Sequence, residues 1–358
     1  MTSADTMKPS PLVSVLVVVR NGRQDIQGLF ESLEQQDYTP LEVLVMDGMS
    51  QDGTRTLVEE YAPGRPGISV RLLDNPGRIQ ATGWNIGIRA ANGSYIFRID
   101  AVHCRLQSRN YIRHCVETLT RLQQTDPAVA ATGGRRLSVT RTKGAWADAI
   151  ALAQSCSFGV GNAGYRLSEQ AGFTETLGVP LYDLRALRAV GLFDESLGRS
   201  EDNDLHARLR WRGFKLYYSP DVVALYHPRT TLSGLASQMF HNGWWVSATI
   251  IRKRSFPFGV RHLIPFLFFL TLALLLGLSL SGFFPARLVL ALVLAAYLLG
   301  SLAAALLASR TVGFWRVATV FLIMHACYAA GTASGVFAGR STAADPGVVT
   351  APGANLGS

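Results

Sequence analysis

The chain has 358 residues, which allows about two domains. A formal net charge of +9 together with a mean hydropathy of +0.19 points to contact with an anionic membrane surface. Nucleic acid is disfavoured because no basic run is interleaved with aromatics, and four cysteines without CxxC spacing or clustered histidines argue for reduced thiols over a zinc site or disulfide framework.

The first ten residues, MTSADTMKPS, lack the apolar core of a signal peptide and read as a flexible lead. Leu12 to Val19 is a continuous β-branched run, the mark of a parallel strand buried on both faces. Arg20-Asn21-Gly22 ends it. Asp25 to Gln36 has helical spacing through Ile26, Leu29, Phe30 and Leu33. Leu41–Met46, Ser69–Leu73 and Tyr95–Ile99 read as strands, with helices at Thr54–Tyr61 and Ile79–Ala91. Strands alternating with helices predict βαβ units and a parallel sheet.

Two strand ends carry chemistry. Asp47 leaves the second strand into Gly48-Met49-Ser50-Gln51-Asp52-Gly53-Thr54. Ser50 or Asp52 can cap the helix that follows. The same carboxylates can accept hydrogen bonds from the hydroxyls or base of a nucleoside. The stretch is not GxGxxG and no P-loop is present, so neither phosphate-loop fingerprint applies. The fourth strand ends on Asp100, with His103 three positions on. Ligands of open α/β sheets sit outside the carboxyl ends of the strands. A carboxylate there can hold a divalent metal on a diphosphate, or it can cap a helix or pin a turn.

Ala145 to Gln154 reads as a helix. The glycine-rich Ser157-Phe158-Gly159-Val160-Gly161-Asn162-Ala163-Gly164 follows, either a flexible loop or a place where backbone approaches a ligand. Asp183–Val190 is a short helix. Ser200 stands as an N-cap before Glu201 and Asp202, whose charges suit the first turn. Equally, one of the pair can act as a general base. Lys215–Ser219 and Val222–Tyr226 read as two short strands. Leu232 to Ile251 reads as an amphipathic helix at a membrane interface, anchored by Trp244 and Trp245 and followed by Arg252, Lys253, Arg254 and Arg261.

Between Leu263 and Ser309 the only charged side chain is Arg287. Apolar spans run over Leu263–Phe284, Leu288–Ala308 and Val317–Val336. The first two meet the length of a spanning helix, ~20 residues. The third is interrupted by His325 and several small residues. Placing the basic groups around Arg252–Arg261, Arg310 and Arg316 inside makes the N-terminal domain cytoplasmic, with Arg287 and Arg340 counting the other way. The Gly/Ala/Pro-rich tail from Thr342 reads as disordered.

Several segments, in this order and at these spacings, resemble the family 2 inverting glycosyltransferases of the GT-A fold. They are Val13-Ser14-Val15 through Arg20-Asn21, Asp47 to Thr54, Asn75-Pro76-Gly77-Arg78 and Gly83-Trp84-Asn85-Ile86-Gly87. Arg98-Ile99-Asp100-Ala101, Phe158 to Asn162 and Gly191-Leu192-Phe193-Asp194-Glu195 continue the set. Glu201-Asp202 and Tyr226-His227-Pro228-Arg229 complete it. The likeness covers about Pro11 to Trp245 and is greatest to membrane-associated, succinoglycan-type enzymes of bacterial exopolysaccharide synthesis.

The resemblance implies an α/β, Rossmann-like, mainly parallel sheet over residues 11–229. An amphipathic segment at 230–261 and a membrane domain of two to three helices at 262–340 would follow, before a tail at 341–358. It implies a nucleotide-sugar donor, a UDP-sugar above all, met by Arg20, Asn21, Asp47, Asp52, Arg78, Asn85 and Asp100. A divalent metal, Mg²⁺ or Mn²⁺, would be held by Asp100 and His103. Asp202, beside Glu201, would be the base. The acceptor would be a lipid-linked sugar or another glycan, near Gln238, Trp244 and Trp245. The setting would be a multi-pass protein of the inner or plasma membrane.

Two departures stand out. Val102 puts His103 one residue late for an Asp-Ala-His metal motif, so either a bulge brings it to the metal or it is a neighbour. Gly22 and Arg23 stand where an acid usually follows Arg-Asn. Gln238 and Trp244 are similar to the Gln-x-x-Arg-Trp element of processive synthases, but the spacing differs and His241 replaces the arginine. Transfer to a polyprenyl phosphate, or a non-catalytic membrane scaffold, are the alternatives.

Overall fold

The computed structural model describes residues 10–61, 65–161, 163–308 and 312–338. Expectations placed on residues 1–9, Asn162, Arg310, Arg340 and the tail lie outside them. The first seven elements follow the expected alternation: β1 (Val13–Val19), α1 (Arg23–Glu34), β2 (Leu41–Asp47), α2 (Thr54–Glu60), β3 (Ile68–Asp74), α3 (Gln80–Ala90) and β4 (Tyr95–Asp100).

β5 (Cys104–Leu106), α4 (Tyr111–Thr125) and β6 (Val129–Ser138) come next, then α5 (Ala145–Ala153), α6 (Ser157–Val160), α7 (Gly164–Leu167), β7 (Gly172–Thr174) and β8 (Pro180–Asp183). The chain continues through α8 (Leu184–Ala189), α9 (Glu201–Trp211), β9 (Lys215–Tyr226), α10 (Leu232–Lys253), a 3-10 turn at Val260–His262, α11 (Ile264–Leu280), α12 (Phe284–Ala308) and α13 (Phe314–Ala338). β9 is one strand through Pro220, where the sequence suggested two.

The chain forms two compact units that interleave in sequence. One takes the residues up to Arg136, then Glu169–Phe193 and Arg208–Leu225. The other takes Leu137–Ser168, Asp194–Ala207 and the chain from Tyr226.

The first unit is built on a nine-stranded sheet of order β3-β2-β1-β4-β8-β6-β9-β5, with β7 beside β9. β1, β2, β3 and β4 pair in parallel. β8 enters antiparallel to β4 and β6, so the sheet is mixed. β2 is buried along its whole length and β1 nearly so, which is why both are apolar runs without alternation. β3 alternates and lies at an edge. On α1 the buried Ile26, Leu29, Phe30 and Leu33 form the inner stripe. Register sets the acids in a row: Asp47 pairs with Val19 and with Asp74, and Asp100 pairs with Val18. The chain winds from β1 to β3 on one side and returns to β4 on the other, so the switch point of the sheet lies at β1 and β4.

In the second unit α10 packs on α13. Gly243, Gly331 and Gly335 let the backbones approach: a Cβ on Gly331 would run into the Phe240 carbonyl, and one on Gly243 into that of Tyr328. Trp244 and Trp245 are 6% and 2% exposed, packed with Leu197 and Ala248. This corrects the interfacial-anchor expectation, since rings covered by protein present no surface to headgroups. The glycine-rich stretch after α5 is also not a loose loop. It holds α6 and α7, and Gly159 sits directly against the Ala153 carbonyl.

α12 and α13 are long and apolar enough to cross a membrane, whereas α11 has 17 residues and falls short. The expectation for the first apolar span is therefore corrected by its early end at Leu280. The third span forms a full helix despite His325, whose ring nitrogens are partnered by Tyr297 Oη and the Phe158 carbonyl, each at 3.0 Å.

Candidate active site

In the first unit, the loops after β1 and β2 are laced together. Asn21 N–H donates to Ser50 Oγ at 2.8 Å, Gly22 N–H to Thr54 Oγ1 at 3.0 Å and Arg23 N–H to Asp52 Oδ2 at 3.0 Å. In return Asn21 Oδ1 accepts from Gln51 N–H at 3.0 Å. Asp52 Oδ1 also accepts from the N–H of Thr54, the first residue of α2. Burial opposes its ionisation, but hydrogen bonds from Thr54 and Arg23 outweigh burial and hold the carboxyl below its usual range. Asp52 thus pins both loops, and Ser50 serves Asn21 rather than a helix end.

Asp47 has no side-chain exposure. Its Oδ2 accepts from Ser50 N–H at 2.9 Å and from Arg55 Nη1 at 3.1 Å, while Oδ1 is buried with no partner among the described residues. Arg55 continues to Asp74 at 2.7 Å. Arg20 Nε is likewise buried without a partner among the described residues. Such orphaned groups cost free energy unless something pairs with them. Arg78 is exposed, at φ 58° in the turn that Asn75 closes, and Asn75 N–H donates to the Asp47 carbonyl at 2.8 Å. Asn85 is directed elsewhere: its amide exchanges two 2.9 Å bonds with the backbone of Phe193.

Asp100 divides its oxygens. Oδ1 accepts from the N–H groups of Val102 and His103 at 2.8 and 2.7 Å, so the extra residue Val102 is absorbed in a tight turn. Oδ2 accepts from Gln80 Nε2 at 3.4 Å. Among the described residues no three His, Cys, Asp or Glu side chains gather as a metal cage. The residues do fit a divalent ion held by one carboxylate oxygen and the oxygens of a diphosphate, the usual mode for Mg²⁺.

In the second unit, Glu201 is 6% exposed and Asp202 is half-buried, both in the first turn of α9. Asp202 Oδ1 accepts from Asn203 N–H at 2.8 Å. Ser200 has φ 65°, not the extended backbone of a capping serine, and contributes its carbonyl to Asp204 N–H at 3.0 Å. Asp204 is buried and paired with Lys253, which also binds Asp194 at 2.8 Å. Gln238 donates to Tyr226 Oη at 3.2 Å, and its Oε1 is buried without a partner among the described residues. Arg55 and Gln80 were not singled out in the sequence. Their signal is the register that places them beside Asp47, Asp74 and Asp100.

The first unit is thus a mixed α/β sheet with acids on the carboxyl ends of its parallel strands. The family model described as Glycosyl transferase family 2 matches residues 14–145. The succinoglycan biosynthesis protein ExoA of Rhizobium meliloti is 30% identical over 272 residues, 74% of this chain and 77% of that protein. A dolichyl N-acetyl-alpha-D-glucosaminyl phosphate 3-beta-D-2,3-diacetamido-2,3-dideoxy-beta-D-glucuronosyltransferase of Methanococcus voltae is 25% identical, covering 75% of this chain and 82% of that one. A Pyrobaculum calidifontis mannosyltransferase, solved with GDP-mannose and Mn²⁺, shares the fold at a TM-score of 0.61 and 21% identity, over 91% of this chain and 87% of that one. The chain belongs to the family 2 glycosyltransferases.

Proposed function

We propose that the chain is a membrane-bound inverting glycosyltransferase of cell-envelope or exopolysaccharide synthesis. It moves a sugar from a nucleotide-sugar, a UDP-sugar above all, to a hydroxyl of a lipid-linked or glycan acceptor. The observation that carries this reading is the Asp47 carboxylate, buried at the end of β2 with Oδ1 left for a ligand. Asp47 accepts a hydrogen bond from the nucleoside, and Arg20 and Arg78 supply positive charge to the donor. Asp52 and Asn21 keep the two loops in place.

Asp202 takes the proton of the acceptor hydroxyl. The acceptor oxygen bonds to the anomeric carbon as the bond from that carbon to the diphosphate breaks. The electron pair leaves with the nucleoside diphosphate, and one displacement inverts the configuration. A divalent metal held by Asp100, with His103 beside it, would supply charge neutralisation on the leaving group. The relatives' names, which include a succinoglycan protein and an enzyme acting on a dolichyl phosphate sugar, support a lipid-linked or polysaccharide acceptor.

Leucines such as Leu288 (57%) and Leu307 (86%) stand exposed on α12, and a soluble core helix would hide them. That supports membrane residence, and the basic Arg252, Lys253, Arg254, Arg261 and Arg316 support a cytoplasmic N-terminal domain.

The test is a screen of the detergent-solubilised chain against UDP-, GDP- and dTDP-sugars, with Mg²⁺, Mn²⁺ or chelator. Metal-dependent binding or slow hydrolysis of one donor is expected. Absence of nucleotide binding under every metal condition sinks the reading and favours a scaffold.

A further inference from the structure

Gly234, Gln238 and Asn242 follow one another by single turns on one face of α10. Each meets a polar neighbour. The stem of Arg229 packs on Gly234, whose Cβ position lies 3.5 Å from Arg229 Cβ. Gln238 binds the Tyr226 hydroxyl at 3.2 Å. Asn242 Oδ1 accepts from Arg199 Nη1 at 3.1 Å. The Arg166 guanidinium lies 5.9 Å from the centre of the Tyr226 ring.

Burial first, and then the charge of Arg229, hold the Arg199 pKa below its usual value, while Glu201 and Tyr226 work the other way. The two arginines thus meet one face of α10, on either side of the Gln238–Tyr226 pair. Among the described residues neither Arg199 nor Arg229 forms an ion pair, and the one hydrogen bond of Arg199 goes to a neutral amide. A guanidinium presents five donors in a fixed fork and cannot shed its charge. Two such forks along one helix face are matched by an anion with several oxygens that accepts from both. A phosphate or diphosphate has that chemistry. The same unit carries α11, α12 and α13, whose exposed leucines suit acyl or prenyl chains.

We propose that Arg199 and Arg229, ranged along α10 by Asn242 and Gly234, bind the phosphate of a lipid-phosphate-linked acceptor. The proposal rests on the lipid-linked acceptor of the transfer reaction above and assigns the residues that recognise it. Tyr226 and Gln238 fix the floor of the site between the two arginines.

The test uses the full chain in detergent, with farnesyl phosphate, farnesol and sodium phosphate as probes and UDP with Mn²⁺ as a separate measure of the donor site. The wild type is expected to bind farnesyl phosphate at least about tenfold more tightly than farnesol, as hydrogen bonds to a charged group imply. Arg199→Gln and Arg229→Gln should each erase that preference and leave UDP binding within about twofold. Arg199→Lys, which keeps the charge and loses the fork, should lie between and serves if Arg199→Gln does not fold.

An unchanged preference in both glutamine variants overturns the proposal. So does a parallel loss of UDP binding, which would give the arginines to the donor diphosphate. Farnesyl phosphate binding no tighter than inorganic phosphate also overturns it, because the site then takes a free anion. A wild type that binds farnesyl phosphate but no nucleotide would sink the transferase reading and leave this site standing.

Discussion

Asp47 commits one carboxylate oxygen to the fold. Oδ2 holds Ser50 and Arg55, while Oδ1 has no partner among the described residues. Asp47→Asn can keep the first set of bonds by placing its oxygen there, which turns an amide N–H toward the ligand. A nucleoside N–H or hydroxyl then meets a donor. Nucleoside diphosphate Kd is expected to rise about 10- to 100-fold by calorimetry, given about 1.5–3 kcal/mol for a hydrogen bond to a charged group. Asp202→Asn makes the complementary point. If Asp202 is the base, kcat falls by about 10²–10⁴ and donor Kd stays within about twofold. Activity that survives in Asp202→Asn would mean an acceptor already ionised, as in a polyprenyl phosphate.

At the scale of elements, Lys253 ties the last turn of α10 to Asp194 and to Asp204 on α9. Burial raises the Asp194 pKa, but bonds from Lys253 and Ser196 outweigh burial and bring it down from 3.8 to about 2. A depressed carboxylate stabilises the fold above its unfolded pKa, and that gain is lost as pH falls through about 4 to about 2. The gain is on the order of 2 kcal/mol, at about 1.4 kcal/mol per pKa unit. Denaturation series at pH 5 and pH 2 should show the wild type losing about that much more stability than Asp194→Asn. Helix contact offers a second test. Gly331→Val places a Cβ where the Phe240 carbonyl already lies and adds two methyl groups beyond it. Overpacking of this kind costs about 1–3 kcal/mol or more. A fall in the melting temperature of the detergent-solubilised protein should report it, with Ala at the same position milder.

At the scale of the molecule, α12 and α13 with their exposed leucines should keep the full chain in the membrane pellet after alkaline carbonate extraction. A charged residue near the middle of α12, Leu298→Arg, should weaken insertion by about 3 kcal/mol. Much of the first unit was legible because β1 to β4 are apolar runs set between amphipathic helices. The acids stood out for the same reason, since each closes such a run. β6 escaped because Gly133 and Gly134 depress strand propensity, and β8 because it has four residues. Arg55 could not be read as a site residue, because its bond to Asp74 exists only through the register of β2 and β3. Trp244 and Trp245 looked like membrane anchors because of the basic residues that follow. The partner that covers the α10 glycine face, α13, lies about 85 to 90 positions further on, where no local pattern reveals it.

The contact between α10 and α13 also sets a timetable for synthesis. About 100 residues separate the start of α10 from the end of α13, so a ribosome adding about 5–20 residues per second needs roughly 5–20 s between them. Through that interval the glycine face of α10 is made but uncovered. The second unit is then the last part of the newborn chain to mature, although residues 137–168 belong to it and emerge early. A stop codon anywhere before α13 would therefore strip the cover from Phe240, Gly243 and Trp244, not merely remove a membrane segment.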